Sequence, residues 1–175
     1  MTQLRSPEIE LSEEDLTDAA VILNVARQCF ADSERRPSQA RKLLRMVVSI
    51  YWDGPRDTKQ GRRYFPGFAV WSPAARARAA EGSKGLIGEH VIPVKVLSKQ
   101  VYALVSNPDA TPAEMARFLR SSTFAVITKE EDKLLNSMGL RQSMPPDWVE
   151  GGEVWARYIM AGIDHTAFEP WERES

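Results

Sequence analysis

Gly85-Leu86-Ile87-Gly88-Glu89-His90-Val91-Ile92-Pro93-Val94 is the stretch whose reading decides the fold. The apolar and β-branched residues of Leu86 to Ile92 have strand character, and a helix from Val94 to Val105 can follow Pro93. Within the strand, His90 is one of two histidines among 175 residues, and an acid, Glu89, directly precedes it. Imidazole titrates near neutrality and can take a proton from water, while a carboxylate offers hard oxygen to a divalent cation. The structural alternative is a half-buried histidine whose ring bonds a backbone carbonyl.

Downstream, Thr111-Pro112-Ala113-Glu114 combines a capping box with proline at the first helical position, and heads a helix to about Arg120. Thr123-Phe124-Ala125-Val126-Ile127 is a second strand. It runs into Thr128-Lys129-Glu130-Glu131, another capping box, whose helix Gly139 closes. Met144 to Trp148 reads as loop, Val154 to Ile159 as a short helix, and the acidic tail beyond Gly162 as loosely held. Trp148 and Trp171 read as packing residues, as does the Arg157-Tyr158 pair that follows Trp155, with a stacking or phosphate contact as its alternative. Asp164-His165 reads as part of a polar C-terminal segment.

Upstream, Ser12 to Phe30 reads as an amphipathic helix with Ser12 as N-cap and an apolar stripe of Leu16, Ala19, Ala20, Leu23, Ala26 and Phe30. A second helix, capped by Ser38 and carrying Leu43, Leu44, Val47, Val48 and Tyr51, ends at Trp52-Asp53-Gly54-Pro55. The two are expected to form an antiparallel hairpin. Arg56 to Gly67 reads as a basic loop and Phe68 to Trp71 as a short strand, and Ser72-Pro73 caps a helix to Ala80 that Gly82 ends. This gives an α+β fold, mainly helical, with residues 1–55 as a helical N-terminal region and 56–175 as the core with its acidic C-terminal segment.

A chain of 175 residues can bury about two-thirds of its unfolded surface without a covalent staple. Its single cysteine, Cys29, excludes a disulfide framework and a Cys-paired zinc site, and its place in an apolar helical stripe argues against a cysteine nucleophile. The acidic N-terminus and the lack of a long apolar window point to a cytoplasmic protein with no membrane partner. Net charge is −1 overall, yet residues 35–85 carry twelve bases against three acids, a net of +9, and residues 130–175 carry ten acids against four bases, a net of −6. The basic segment suits a polyanion such as nucleic acid, or is simply a set of solvated faces. There is no Walker loop, no dinucleotide-binding glycine fingerprint and no Gly-x-Ser-x-Gly elbow.

Glu89-His90-Val91-Ile92-Pro93 resembles the start of the ββα-metal motif of HNH, or His-Me finger, endonucleases, and Val126 to Lys133 is similar to that family's strand-to-helix step. The resemblance implies a small ββα-metal-like core with a helical insertion, in which His90 is the general base and Glu89 a metal ligand. The helix would supply a second ligand from Glu131, Asp132 or Asn136, with Mg²⁺ or Mn²⁺ as cofactor. Glu131 and Asp132 also have purely structural reasons to stand in a first helical turn. The expected function is metal-dependent hydrolysis of DNA phosphodiester bonds, of bacterial or phage defence type. Arg41, Lys42, Arg45, Arg62, Arg63, Arg76 and Lys84 would hold the nucleic acid. The alternative is a non-catalytic DNA-binding or partner-binding regulator of antitoxin, immunity or inhibitor type, and a protein partner or homo-oligomer stays open in either case.

Overall fold

The structure, a computed structural model, describes residues 11–32, 36, 38–39, 41–44, 46, 69–82 and 84–171. Its elements are α1 (Glu13–Asp32), β1 (Val70–Trp71), α2 (Pro73–Glu81), β2 (Leu86–His90), α3 (Val94–Val105), α4 (Pro112–Ser121), β3 (Phe124–Thr128), α5 (Lys129–Ser137), α6 (Ala156–Met160), a short 3₁₀ turn (His165–Ala167) and β4 (Glu169–Pro170). The class is α+β, mainly helical, with a mixed sheet in the order β2-β3-β1-β4. Two compact units divide the chain, one of residues 1–47 and 100–121, the other of residues 48–99 and 122–175. Residues 38–39, 41–44 and 46 are helical, whereas the rest of the expected second helix, its turn and the basic loop of Arg56 to Gly67 lie outside the described residues.

In the first unit α1 packs on α4. The expected stripe is rotated: α1 buries Asp15, Ala19, Ile22, Leu23, Ala26 and Cys29, while Leu16 and Phe30 are exposed. The cause is a polar contact that periodicity alone does not register. Asp15 accepts from the backbone N–H and the hydroxyl of its N-cap Ser12 at 2.9 and 2.8 Å, and Ser12 Oγ accepts from the Asp15 N–H at 3.1 Å. The same carboxylate receives Arg120 of α4 through Nε at 2.8 Å and Nη2 at 3.0 Å. Asp15 thus caps its own helix and turns toward α4, bringing residues 19, 22, 23, 26 and 29 with it.

The second unit holds the sheet. β2 and β3 pair antiparallel from Leu86↔Thr128 to His90↔Phe124, and β1 pairs parallel with β3. β3 is buried along its whole length, as its unbroken apolar run requires. Alternation puts Ile87, Glu89 and Val91 on the face shared with Ala125 and Ile127, where Leu135 of α5 and Tyr158 of α6 complete the core. Gly85 enters β2 at φ 90, a conformation suited to glycine, and its carbonyl accepts the Lys129 N–H at 2.9 Å where α5 begins. Among the described residues, the segment after Gly162 is not loose. It forms the 3₁₀ turn and then β4, which pairs antiparallel with β1, and the rings of Trp71 and Trp171 lie 4.7 Å apart. A two-residue strand is too short to show a period, so sequence reading takes it for tail.

The Arg120 hydrogen bonds, acting against burial, hold the Asp15 carboxyl down at about 2, from an ordinary value of 3.8. A carboxyl lowered in the fold contributes stability that is complete above its unfolded value and is lost as pH falls through the folded one. Thermal unfolding of the native protein and of Asp15→Asn should therefore converge as pH falls from about 4 to about 2. A stability gap that does not change over that range contradicts the role given to this pair.

Candidate functional site

The local sequence of the second unit builds the site from two capped helices and the end of a strand. Thr128 caps α5, its hydroxyl accepting from the Glu131 N–H at 3.2 Å. Glu131 Oε2 in return accepts from the Thr128 N–H at 2.7 Å and hydroxyl at 2.9 Å, and also from Ser72 Oγ at 2.9 Å. Ser72 is itself the N-cap of α2, accepting from the Ala75 N–H at 3.0 Å. One carboxylate therefore ties the starts of two helices together. Glu131 is occupied as a capping residue, in keeping with the structural reading of its position.

Asp132, the next residue, and Asn136, one turn later, share a face of α5, and Asn136 Nδ2 donates to Asp132 Oδ2 at 2.9 Å. Asn136 Oδ1 is buried with no hydrogen-bond partner among the described residues. Asp132 lies near enough to Glu89 for its charge to raise the Glu89 pKa. Of the three helix residues singled out by sequence, Asp132 lies within electrostatic reach of Glu89, and Asn136 is tied to Asp132 by its hydrogen bond.

Glu89 is set in the apolar face between Ile87 and Val91, its side chain 17% exposed. A carboxylate there needs compensation. Arg157 Nη2 donates to Glu89 Oε1 at 2.9 Å, and the Tyr158 hydroxyl donates to the same oxygen in a short hydrogen bond. No hydrogen bond reaches Oε2 among the described residues. Arg157 is fully buried and uses its fork elsewhere too: Nε donates to the Val91 carbonyl at 2.9 Å, Nη1 to the Leu140 carbonyl at 2.7 Å and Nη2 to the His90 carbonyl at 2.7 Å. Burial pushes the Glu89 pKa up and Asp132 adds to that, while Arg157 and Tyr158 pull it back. Burial, then the charge of Glu89, pushes Tyr158 well above the ordinary tyrosine range, which keeps it a donor.

His90 follows on the opposite face, 9% exposed. Its ring stands edge-on to Phe124, its partner in register, with centroids 5.2 Å apart at 89°. Glu89 and His90 therefore flank β2, which lies at one edge of the described sheet. His165 is not near this pair in role. It stacks on Trp155 at 5.6 Å, and Trp155 and Phe168 pack on Tyr158 at 5.1 and 5.5 Å.

The cations expected to hold nucleic acid fare differently. Arg45, Arg62 and Arg63 lie outside the described residues. Arg41, Lys42 and Lys84 are exposed, whereas Arg76 forms a short ion pair with Glu169 and donates to the Ala167 carbonyl at 3.2 Å, fixing the C-terminal segment. Among the described residues there is no group of three or more His, Cys, Asp and Glu that could hold a metal, and no helix long and apolar enough to cross a membrane. An apolar groove in the first unit, near Leu16, Val21 and Pro112, has no titratable lining and offers no competing chemistry. No family model, curated protein or solved structure matches the chain.

Sequence reasoning undervalued Arg157 and Tyr158, taking them for aromatic packing. Their signal is faint, because their partner lies 68 and 69 positions away and nothing local marks Arg157 as buried.

Removing Arg157 leaves a buried carboxylate with only the Tyr158 hydroxyl and takes a donor from three backbone carbonyls, so Arg157→Ala should cost about 3–5 kcal/mol in urea unfolding. A loss within the ordinary surface range, below about 0.5 kcal/mol, would contradict its role. Glu89 gives a pH test. A carboxyl raised in the fold contributes stability that is complete below its ordinary value of 4.5 and is lost as pH rises through the folded value. Relative to Glu89→Gln, the native protein should lose stability as pH rises above 4.5. A difference that is flat or grows with pH counts against burial as the dominant influence.

Proposed function

We propose that the protein is a metal-dependent nuclease that hydrolyses DNA phosphodiester bonds, with its reaction site at the His90 end of β2 beside α5. The observation that carries this reading is the placement of Glu89, on an edge strand next to His90, within electrostatic reach of Asp132 on the helix that follows the antiparallel partner strand. The order of strand, antiparallel strand and helix supports the likeness to the ββα-metal family. Helices α3 and α4 stand between the two strands as the insertion.

The donor set fits a small hard cation. Glu89, Asp132 and the unpartnered carbonyl oxygen of Asn136 would hold Mg²⁺ or Mn²⁺, because such ions take oxygen ligands and keep several waters beside one or two carboxylates. A third protein carboxylate is not needed. When bound, the ion would neutralise charge on the scissile phosphate and assist ionisation of the attacking water. His90, whose ring packs on Phe124 on the opposite face of β2, would have to turn to the Glu89 side to accept that water's proton at a ring nitrogen, while the Arg157 bond to its carbonyl would keep the strand end in place. Lys84, exposed just before β2, would contact a backbone phosphate. The +9 of residues 35–85 would add attraction independent of sequence.

A second reading has its own support. His90 is largely covered and packs on Phe124, and Arg157 already neutralises Glu89. Under this reading the pair secures the sheet edge of a non-catalytic DNA-binding or partner-binding regulator.

Supercoiled plasmid incubated with the protein separates the two. The nuclease reading expects nicking or linearisation with Mg²⁺ or Mn²⁺, abolished by chelation and reduced about 10²- to 10⁴-fold in His90→Ala. Equal cleavage by the variant, or salt-dependent DNA binding with no cleavage, overturns it and favours the regulator.

A further inference from the structure

We propose that Arg157 and Tyr158 are positioning residues that hold Glu89 as a one-oxygen ligand, so that the site selects a small octahedral cation such as Mn²⁺ over Ca²⁺. The inference rests on the reading of Glu89 and Asp132 as cation ligands.

The geometry points this way because both donors converge on one atom. Arg157 Nη2 and the Tyr158 hydroxyl take Oε1 of Glu89, leaving Oε2 without a hydrogen bond. Neither donor is free to swing aside. Arg157 is anchored by the carbonyls of His90, Val91 and Leu140, and the Tyr158 ring is fully buried between Trp155 and Phe168. A cation seeking both oxygens of Glu89 would have to displace two buried donors and strand them. Ca²⁺ accepts carboxylates through one or both oxygens and takes six to eight ligands, whereas small octahedral ions need few protein oxygens and keep their waters. A carboxylate that can offer only Oε2 favours the second class. Partners of this kind, which orient a ligand from behind, typically change metal affinity by about 10- to 100-fold when removed.

The test is direct binding of Mn²⁺ to the full chain, read by the paramagnetic signal of the free ion, with Ca²⁺ as competitor. Tyr158→Phe should weaken Mn²⁺ binding by about 10-fold or more and lessen the preference over Ca²⁺. Ile163→Val trims a side chain packed on the same core cluster without touching Glu89 or the rings that hold Tyr158, and should leave the Mn²⁺ dissociation constant unchanged. Arg157→Lys, which keeps the charge but not the fork, should move affinity in the same direction as Tyr158→Phe and supplies the answer if the tyrosine variant does not fold. Equal weakening by Tyr158→Phe and Ile163→Val reduces Tyr158 to packing and overturns the proposal. So does Mn²⁺ binding that is lost in Glu89→Gln but untouched in both Tyr158→Phe and Arg157→Lys, although the ligand reading then stands. No Mn²⁺ binding by the native protein, or binding that survives Glu89→Gln, overturns the ligand reading along with it.

Discussion

A guanidinium buried without water must find acceptors for its N–H groups, and in this chain Arg157 draws the sheet-bearing unit together to supply them. It bonds the carbonyls of His90 and Val91 where β2 stops, the carbonyl of Leu140 beyond α5, and the carboxylate of Glu89. Three segments distant in sequence thereby acquire one fixed arrangement. A planar fork can satisfy such scattered acceptors at once, which a lysine ammonium cannot. Net stability is not the main return, since the cost of desolvating both charges offsets much of their attraction. The return is definition: a strand end that stops at His90, and a carboxylate with one oxygen engaged and one left over.

The caps add the second constraint. Glu131 is fixed at the third position of α5 by Thr128 and Ser72. Its neighbour Asp132 and, one turn on, Asn136 are then directed by helix geometry alone. Leu135 seats the same helix in the core. A local interaction, legible as a four-residue pattern, thus decides which polar side chains approach Glu89. The apolar surroundings of Glu89 strengthen every charge interaction made there, which is why a single arginine and a single tyrosine hydroxyl matter so much.

Much of this fold is legible in the sequence where the signals are local. The strand expected over Leu86 to Ile92, which the structure ends at His90, the helix from Val94 to Val105, the strand expected over Thr123 to Ile127 and found over Phe124–Thr128, and the capping boxes at Thr111 and Thr128 all stand within a residue or two of where pattern and cap chemistry place them. Cys29 is buried in its stripe, and the pairing of Trp71 with Trp171 agrees with a packing role. Reading fails where the deciding contact is distant. The phase of α1 follows from Asp15 meeting Arg120, 105 positions away, and β4 exists because β1 offers it an edge. The candidate site is half legible for the same reason. Glu89 and His90 announce themselves, and Asp132 and Asn136 follow from helix spacing, but a buried Arg157 looks in sequence like any other basic residue.

The Glu89-His90 pair thus acquires a physical setting that its sequence alone does not give. The acid faces the core and a neighbouring carboxylate, and the imidazole faces the other side of an edge strand. The most direct measurement is a crystal structure of the protein soaked in Mn²⁺, with the ion located by its anomalous scattering. The account predicts a peak within coordination distance of Glu89 Oε2 and on the Asp132 side of α5, with Arg157 and Tyr158 still on Oε1. An empty site at saturating Mn²⁺, or a peak elsewhere with Glu89 untouched, would contradict it.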